Sequence, residues 1–272
     1  MASRSSRFLP AILAIWFATL PATAEPLAEA CRAADTRSAS VTAVNEDGSL
    51  AVVYGGDARE TGDVRLADVA TAAGGPGPQL LKALRTRIGR SVVVHPLTLA
   101  PDRWQRLVAH VEAVGDPGGG PVDWLQAALV QNGIVRVEPE GSPAGCAAAL
   151  YRSEAAARGA KRGLWSLSVN RVLSSRERDL ADRAGSYRIV AGIVVSVGAT
   201  SRRHYLNFGR DWSRDFTVTI PAGRASAFRA AGRDPQTMAG RYVRVRGWLE
   251  RWNGAVIDVL YPDAIEVIGR GG

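Results

Sequence analysis

Short apolar runs separated by turn residues fill the first half of the chain. The runs SVTAV and SLAVVYG flank the sequence NEDG (45–48), a turn signature that predicts a β-hairpin. Three later runs predict further strands: DVRLADV, RSVVVHPLTL and RLVAHVEAV. Three segments predict helices: GPGPQLLKALRTRIG, with Leu80, Leu81, Leu84 and Ile88 at helical spacing, VDWLQAALVQNG, and AGCAAALYRSEAAARGAKRGLW. The predicted order is three strands, a helix, two strands and two helices.

The second half repeats the opening of this order. YRIVAGIVVSVGAT, RHYLNFG, DFTVTIP, RYVRVRGWLERWNG and AVIDVLYPDAIEVIG predict five strands, and RASAFRAAG predicts a helix between the third and the fourth. Five strands with a helix in that position are the order of an OB-fold barrel. The predicted fold class is therefore α+β, mainly β, with two tandem OB-fold-like five-stranded barrels, of which the first carries additional helices.

The first 24 residues have the organisation of a secretory signal peptide. Arg4 and Arg7 precede the apolar run FLPAILAIWFATL (8–20), and the sequence ATA provides the small residues of a cleavage site after Ala24. The apolar run is shorter than the roughly 20 residues that span a bilayer, and no later stretch approaches that length. We therefore expect an exported protein, periplasmic or secreted, whose mature chain begins at Glu25 and has no transmembrane segment.

Composition divides the rest of the chain into two domains with different charges. The predicted boundaries are an N-terminal segment (25–39), a first domain (40–168), a linker rich in Ser, Arg and Asp (169–184) and a second domain (185–269). Residues 25–169 carry 15 Lys+Arg and 16 Asp+Glu, a net charge of −1, whereas residues 170–272 carry 17 Arg and 10 Asp+Glu, a net charge of +7. The positive field therefore belongs to the second half and favours a polyanionic partner there.

Few residues have the chemistry of a redox or metal site. Cys31 and Cys146 are the only cysteines. An oxidising compartment favours a disulfide between them, and two buried free thiols are the alternative. The three histidines, His95, His110 and His204, lack metal-ligand spacing. No metal site is predicted from these residue types.

Four segments of the first domain carry a family resemblance: VRLADV, DRWQRLVAHV, LQAALVQNGIVRV and CAAALYRSEAAARGAKRGLW. In that order they resemble the R-L-x-G-I strand, the D-R-Y-G-R-x-L-A-x-V segment and the last two helices of the thermonuclease (micrococcal nuclease-like) family. The resemblance covers about residues 40–168 and implies thermonuclease-type helices around the first barrel. It also implies phosphodiester hydrolysis by two arginines, a glutamate base and a calcium ion held by aspartates. Arg65 and Arg106 match the two arginines.

The carboxylates of that family have no match in this sequence. The family's D-G-D-T pattern falls on EDGS (46–49), which places Gly48 at the first metal aspartate. The I-D-x-P-E pattern falls on residues 69–73, which places Ala70 at the second metal aspartate and Ala73 at the glutamate base. Because a carboxylate must take the proton of the attacking water, this departure predicts a degenerate active site.

Three nearby acids are candidates for replacing the missing carboxylates: Glu46, Asp47 and Asp68. Asp68 lies three positions after Arg65, so strand alternation places the two on opposite faces. A register shift in the turn would put Asp47 at the metal position without restoring the base. We expect no catalytic residue beyond the family-matched Arg65 and Arg106, and no cofactor, with calcium reserved for an active nuclease. Alternatively Arg65 pairs with an acid and Arg106 lies at a solvated strand end.

Aromatic and basic residues alternate along the fourth strand of the second domain. Residues 242, 244, 246 and 248 share one face, whereas Val243 and Val245 share the other, which we expect to be core. Aromatic rings combined with guanidinium groups stack bases and neutralise phosphates. Together with Arg65 and Arg106, the predicted nucleic-acid-binding residues are Tyr205, Arg210, Trp212, Tyr242, Arg244, Arg246 and Trp248. The alternative is that the aromatics pack in the core and the arginines lie on an ordinary surface.

The leading hypothesis is an exported thermonuclease-like protein that binds single-stranded nucleic acid with little or no catalysis. The positive charge of the second half would also attract a polyanion other than nucleic acid. Two other hypotheses remain. One is an active nuclease that hydrolyses phosphodiester bonds with substitute acids, and the other is an envelope module that binds a protein partner.

Overall fold

Two main sheets, each enclosing its own hydrophobic core, make up the described part of the chain. The computed structural model describes residues 25–55, 60–72, 75–114, 123–211 and 213–270. The predicted signal peptide (1–24), Ala73 and Trp212 lie outside these residues. The predicted fold class, α+β and mainly β, is confirmed.

The first sheet closes into a five-stranded barrel. The barrel strands are β1 (Arg37–Val44), β2 (Leu50–Tyr54), β3 (Thr61–Leu66), β5 (Ser91–Pro96) and β6 (Arg106–Ala113). The short β7 (Asp123–Trp124) extends the sheet beside β6, and β4 (Val69–Ala70) and β8 (Arg136–Val137) form a separate ladder. Antiparallel pairing joins β3 to β2, β2 to β1, β1 to β5 and β5 to β6. Parallel pairing of β3 with β6 completes the ring. The predicted first barrel is therefore present, in the OB-fold strand order.

The predicted hairpin between β1 and β2 turns at Gly48. This residue has a φ of 81°, a conformation that glycine adopts without the steric penalty of a Cβ atom. A Cβ atom here would also lie 3.1 Å from the Cβ atom of Pro76. The hairpin tip therefore packs closely against the segment that leads into the first helix.

Within the described ranges there are five α-helices: α1 (Pro78–Arg85), α2 (Leu125–Gln131), α3 (Cys146–Ala149), α4 (Tyr151–Gly159) and α5 (Ala225–Ala230). The alanine-rich segment predicted as one helix is divided at Leu150, which has backbone hydrogen bonds of the tighter i→i−3 type. Ile88, which the sequence placed at helical spacing within the first predicted helix, lies beyond α1, because i→i−3 bonds over residues 86–88 end the helix before it, and it is exposed. None of the helices in the described part of the chain has the length and apolar character needed to cross a bilayer.

The second sheet has the strand order predicted for an OB-fold. Its eight strands are β9 (Leu173–Ser174), β10 (Ser186–Ile193), β11 (Ser196–Ala199), β12 (Arg203–Asn207), β13 (Thr217–Pro221), β14 (Arg241–Arg251), β15 (Ala255–Asp258) and β16 (Ile265–Arg270). They pair in the order β11-β12-β13-β15-β14-β10-β9, with β16 on β14. No ladder among the described residues joins the two ends of this order, so a second closed barrel stays a prediction. The predicted linker contributes β9 and the buried Leu173 and Leu180 to the second core, and the domain boundaries also stay predictions.

A buried polar network joins the two domains. The Nη1 atom of Arg246, in β14, donates to both carboxylate oxygens of Glu154 in α4, at 3.1 and 3.0 Å, and to the carbonyl oxygen of Val137 at 3.1 Å. The hydroxyl of Tyr151 donates to the carbonyl oxygen of Asp263, and the Arg246 guanidinium lies 4.2 Å from the centre of the Tyr151 ring. Burial lowers the pKa of Arg246, but the charge of Glu154 outweighs it, and the pKa lies above its usual value. The domains are therefore held in one arrangement by a charged pair.

The predicted disulfide between Cys31 and Cys146 is confirmed, with the two Cα atoms 4.9 Å apart. It joins the N-terminal segment to α3 across a sequence separation of 115 residues. Both cysteines are buried in the core of the first domain. The alternative of two free thiols is excluded, because the structure has no free cysteine.

Candidate nucleic-acid interface

A cleft of about 590 Å³ opens beside the first barrel, and both family-matched arginines line it. Arg65 lies in β3 and Arg106 begins β6. In the parallel ladder between these strands, Arg106 is the partner of Asp63, two positions before Arg65. Residues two apart share one face of a strand, so both arginines leave the sheet on the same side. The cleft is also lined by Asp47, Gly48, Ala70, Trp104, Glu138 and Trp248.

Arg106 is fixed by two aspartates. Its Nε and Nη2 atoms donate to Oδ2 of Asp102 at 3.0 and 2.8 Å, and its Nη1 atom donates to Oδ2 of Asp47 at 2.7 Å. Burial raises the pKa of both aspartates, but hydrogen bonds from Ser49 to Asp47 and from Arg106 to Asp102 outweigh it, and both pKa values lie below their usual range. Burial also lowers the pKa of Arg106, which the two carboxylates more than reverse. All three groups are therefore ionised at neutral pH.

Arg65 is held by a different acid. Its Nη1 and Nη2 atoms donate to the two carboxylate oxygens of Glu140 at 3.1 and 2.5 Å, a two-pronged pairing. Its Nε atom lies 3.8 Å from Oδ2 of Asp102, the oxygen that Arg106 also contacts. The two guanidinium groups therefore converge on one carboxylate oxygen.

The candidate substitute acids have different surroundings. Asp68 is fully buried, with a φ of 58°. The backbone N–H of Asp68 donates to Oε1 of Glu140, and the backbone N–H of Glu140 donates to Oδ1 of Asp68. The Oδ2 atom of Asp68 lies 3.2 Å from Nε2 of His110. Asp68 therefore does not reach the cleft. Asp47 does reach it, while Glu46 is exposed outside its lining.

Glu138 is a carboxylate of the cleft that the sequence interpretation missed. Its Oε2 atom accepts a hydrogen bond from Nη2 of Arg136 at 2.9 Å. Burial raises the pKa of Glu138 above its usual value, despite the charge of Arg136. Gly48 and Ala70, at the positions where the sequence resemblance predicted the loss of the metal aspartates, also line the cleft and bring no carboxylate to it.

One group of side chains in the described part of the chain has the spacing of a metal site: Cys31, His110 and Cys146, with ligand atoms within 4.8 Å of one another. The two sulfur atoms are joined in the disulfide. Thiolates, not disulfide sulfurs, are the metal ligands that cysteine provides. This cluster is therefore a structural part of the core in the oxidised protein.

The aromatic and basic residues predicted on the second domain do not form one surface. Trp248 lines the cleft of the first domain, Arg244 is paired with Glu266 at 2.8 Å, and Tyr242 lines a separate cavity of about 460 Å³. Tyr205 lines a third cavity, of about 330 Å³. Arg210 is exposed after β12, and Trp212 lies outside the described residues.

The position of Arg246 requires a correction. Strand alternation placed it correctly on the face of Trp248, but its side chain is fully buried against the first domain. It donates hydrogen bonds to the carboxylate of Glu154 and to the carbonyl oxygen of Val137. Arg246 therefore serves the domain junction and is withdrawn from the predicted nucleic-acid-binding residues.

The sequence interpretation also missed the acids that hold the arginines. Asp102 has a local signal, since it precedes Arg106 by four residues in the motif DRWQR. Glu140 has no local sequence signal, because it lies 75 residues along the chain from Arg65, its partner. Trp104, in the same motif, is 58% exposed and lies under the guanidinium groups of Arg103 and Arg106, at 3.7 and 4.8 Å from its ring centre.

Comparison with known proteins assigns a family to this part of the chain. The family model described as staphylococcal nuclease homologue matches residues 77–167. The match includes Asp102, Arg106 and Glu140, and begins after β3, which carries Arg65. A comparison of the chain with curated proteins finds no match. The match over residues 77–167 confirms the resemblance to the thermonuclease family that the sequence motifs predicted.

Proposed function

We propose that the protein binds single-stranded nucleic acid in this cleft, with backbone phosphates at Arg65 and Arg106, and hydrolyses it little or not at all. The observation that carries the proposal is the convergence of both guanidinium groups on Oδ2 of Asp102. Two cationic groups that share a carboxylate oxygen are spaced to share a phosphate oxygen as well. The family of residues 77–167 supports nucleic acid as the ligand class.

Each arginine retains donors for a ligand. A guanidinium group has five N–H donors. Arg65 uses two of its nitrogens in hydrogen bonds to Glu140, and Arg106 uses three in hydrogen bonds to Asp102 and Asp47. The remaining N–H groups supply charge-assisted hydrogen bonds to phosphate. The carboxylates hold both groups in place before the ligand arrives, which lowers the ordering cost of binding.

The donor set of the cleft does not fit a calcium site of the family type. Calcium takes six to eight oxygen ligands, including carboxylates that are free to approach it. Among the described residues, Asp47 and Asp102 are paired with Arg106, Glu138 is paired with Arg136, and Glu140 is paired with Arg65. We derive no catalytic step through a metal ion. With no carboxylate at Gly48 or Ala70, the arginines are left to bind the phosphate without an activated water.

An active nuclease is the second candidate function, and Glu138 is the observation that favours it. A general base works best when its pKa is shifted towards the working pH. Glu138 lines the cleft with both arginines, and burial raises its pKa. Its hydrogen bond to Arg136 opposes this role, since the base must accept a proton from water with that same carboxylate.

Export to the periplasm or the exterior is part of the proposal. The Cys31–Cys146 disulfide supports it, because disulfides persist in oxidising compartments. An envelope protein partner is the remaining hypothesis. It predicts a mature protein that ignores nucleic acid and copurifies in fixed stoichiometry with one envelope protein.

Replacing Arg106 by alanine tests the proposal. Arg106→Ala is expected to weaken binding of a fluorescein-labelled single-stranded oligonucleotide by about tenfold or more, since a charge-assisted hydrogen bond contributes about 1.5–3 kcal/mol. Fluorescence anisotropy with the protein from Glu25 onward, at low and moderate salt, measures the change. Arg229→Ala is the matched control, because it removes one exposed charge from α5. Absence of salt-sensitive binding, or equal affinity of Arg106→Ala and the wild type, refutes the proposal.

Replacing Asp47 by asparagine separates binding from calcium-dependent catalysis. Asp47→Asn removes the negative charge that lies 2.7 Å from Nη1 of Arg106. We expect oligonucleotide affinity to rise about fivefold, which corresponds to a charge interaction of about 1 kcal/mol in a solvated site. Asp182→Asn, at an exposed acid of the predicted linker, provides the charge-matched control. If Asp47 instead holds calcium, the same substitution lowers calcium-dependent binding or cleavage.

A further inference from the structure

Trp248 belongs to the second domain, yet it lines the cleft of the first. It lies in β14, and the cleft it borders contains Arg65 and Arg106. Its side chain is 54% exposed. Tryptophan is enriched at interfaces, because its large ring provides apolar contact area and an N–H donor.

The structure positions this ring through the neighbouring Tyr187. Trp248 is the cross-strand partner of Tyr187 in β10, and the two rings meet edge to face, with their centres 6.2 Å apart. The guanidinium group of Arg136 lies 4.1 Å from the centre of the Tyr187 ring. Arg136 is itself fixed by hydrogen bonds to the carbonyl oxygen of Thr71 and to Glu138, at 2.8 and 2.9 Å. A continuous series of contacts therefore connects Trp248 to the wall of the cleft.

The domain junction determines which way Trp248 faces. Arg246 precedes it by two positions on β14, so both side chains leave the strand on the same face. Arg246 is fully buried against Glu154 of the first domain. The face of β14 that bears Trp248 is therefore turned towards the first domain by a buried ion pair.

The two tryptophans of the cleft differ in what covers them. Trp104 lies under the guanidinium groups of Arg103 and Arg106. No guanidinium group of the described residues stacks on Trp248, whose ring meets Tyr187 edge to face. Trp248 therefore offers an aromatic face to a ligand in the cleft.

We propose that Trp248 is the base-stacking wall of the cleft, and that the second domain thereby restricts the ligand to unpaired nucleotides. This inference rests on the proposed function, in which Arg65 and Arg106 hold the backbone. A base stacks on a protein aromatic ring when its own face is free. In a duplex both faces of an internal base are already stacked, so reaching Trp248 requires unpairing. Discrimination between single and double strands therefore resides in a residue outside the nuclease-family domain.

Trp252 provides the matched control for this inference. It is also 54% exposed, follows β14 directly, and lines the separate cavity that contains Tyr205. We expect Trp248→Ala to weaken binding of a single-stranded oligonucleotide on the order of tenfold, and to leave binding of the matching blunt duplex unchanged. Trp252→Ala is expected to bind both as the wild type does. Because Trp248 is exposed, the fold of Trp248→Ala is expected to persist, and its circular dichroism spectrum checks this.

An abasic strand separates base stacking from a general effect on the cleft. It keeps the phosphates and removes the bases, so wild type and Trp248→Ala are expected to bind it equally. An abasic strand that binds the wild type as tightly as the normal strand overturns the inference. Equal losses in Trp248→Ala and Trp252→Ala, or no loss in either, also overturn it. If the wild type binds no oligonucleotide, both the proposed function and the role of Trp248 are wrong. If Arg106→Ala reduces binding and Trp248→Ala does not, the proposed function is supported and the stacking role of Trp248 is wrong.

Discussion

Replacing Glu154 by alanine is expected to lower the free energy of unfolding by about 3–5 kcal/mol, the cost of leaving a buried charge without its partner. The side chains of Glu154 and Arg246 are both fully buried. Glu154 also accepts the backbone N–H of Val137 at 2.9 Å and the guanidinium of Arg158. One truncation therefore removes the carboxylate that accepts from Arg246, Arg158 and the backbone of Val137. Urea denaturation followed by circular dichroism measures the loss.

Two variants show whether the loss comes from the buried charge. Arg251→Ala breaks an ion pair with Asp182 in which the side chains are 61% and 73% exposed, and it is expected to cost less than about 1 kcal/mol. The double variant Glu154→Leu, Arg246→Met removes both charges and is expected to recover most of the stability. A Glu154→Ala variant as stable as Arg251→Ala would contradict the role assigned to this pair.

Removing the disulfide has an expected effect of similar size. With Cys31 and Cys146 separated by 115 residues, the double variant Cys31→Ser, Cys146→Ser is expected to lose up to about 4–5 kcal/mol, because the unfolded chain gains the entropy of an open loop. The unfolding midpoint in urea, with and without reductant, measures this loss. Reductant is expected to shift the midpoint of the wild type and to leave that of the double variant unchanged. A wild-type midpoint that does not respond to reductant contradicts the prediction.

Local sequence patterns were sufficient for the elements that local physics determines. The glycine turn of NEDG gave the β1–β2 hairpin, and the alternation of Val243 and Val245 placed both in the second core. Two cysteines allow one pairing, so the disulfide followed from their number and the expected compartment. The first two predictions depend on residue spacing within a few positions, and the disulfide depends on there being one possible pair of cysteines.

Contacts between the domains could not be predicted in the same way. Alternation places Arg246 and Trp248 on one face of β14, but which domain covers that face depends on α4, 92 residues away along the chain. Glu154 did carry a signal. It lies between Leu150 and Ala157 at helical spacing, so its carboxylate falls on a buried face. An acid in that position requires a buried partner, but no local sequence pattern identifies which residue that partner is.

Some residues of the candidate site could be predicted from local sequence patterns and others could not. Family-matched motifs identified Arg65 and Arg106, and the spacing of four residues in DRWQR accounts for Asp102. The pairing of Arg65 with Glu140 spans 75 residues and has no local pattern. The same is true of Trp248, which reaches the cleft because the second domain docks there. Chemistry that one motif carries was therefore accessible, and chemistry assembled between distant segments required the structure.

We propose that the cleft holds a nucleic acid without cutting it. The most direct measurement incubates excess protein, beginning at Glu25, with an end-labelled single-stranded oligonucleotide, once with calcium and once with a chelator. Each sample is divided between a native and a denaturing gel. We predict a salt-sensitive shift on the native gel and a full-length oligonucleotide on the denaturing gel under both conditions. Calcium-dependent cleavage that disappears in Arg65→Ala and Arg106→Ala would contradict the account and show that a substitute carboxylate serves as the base.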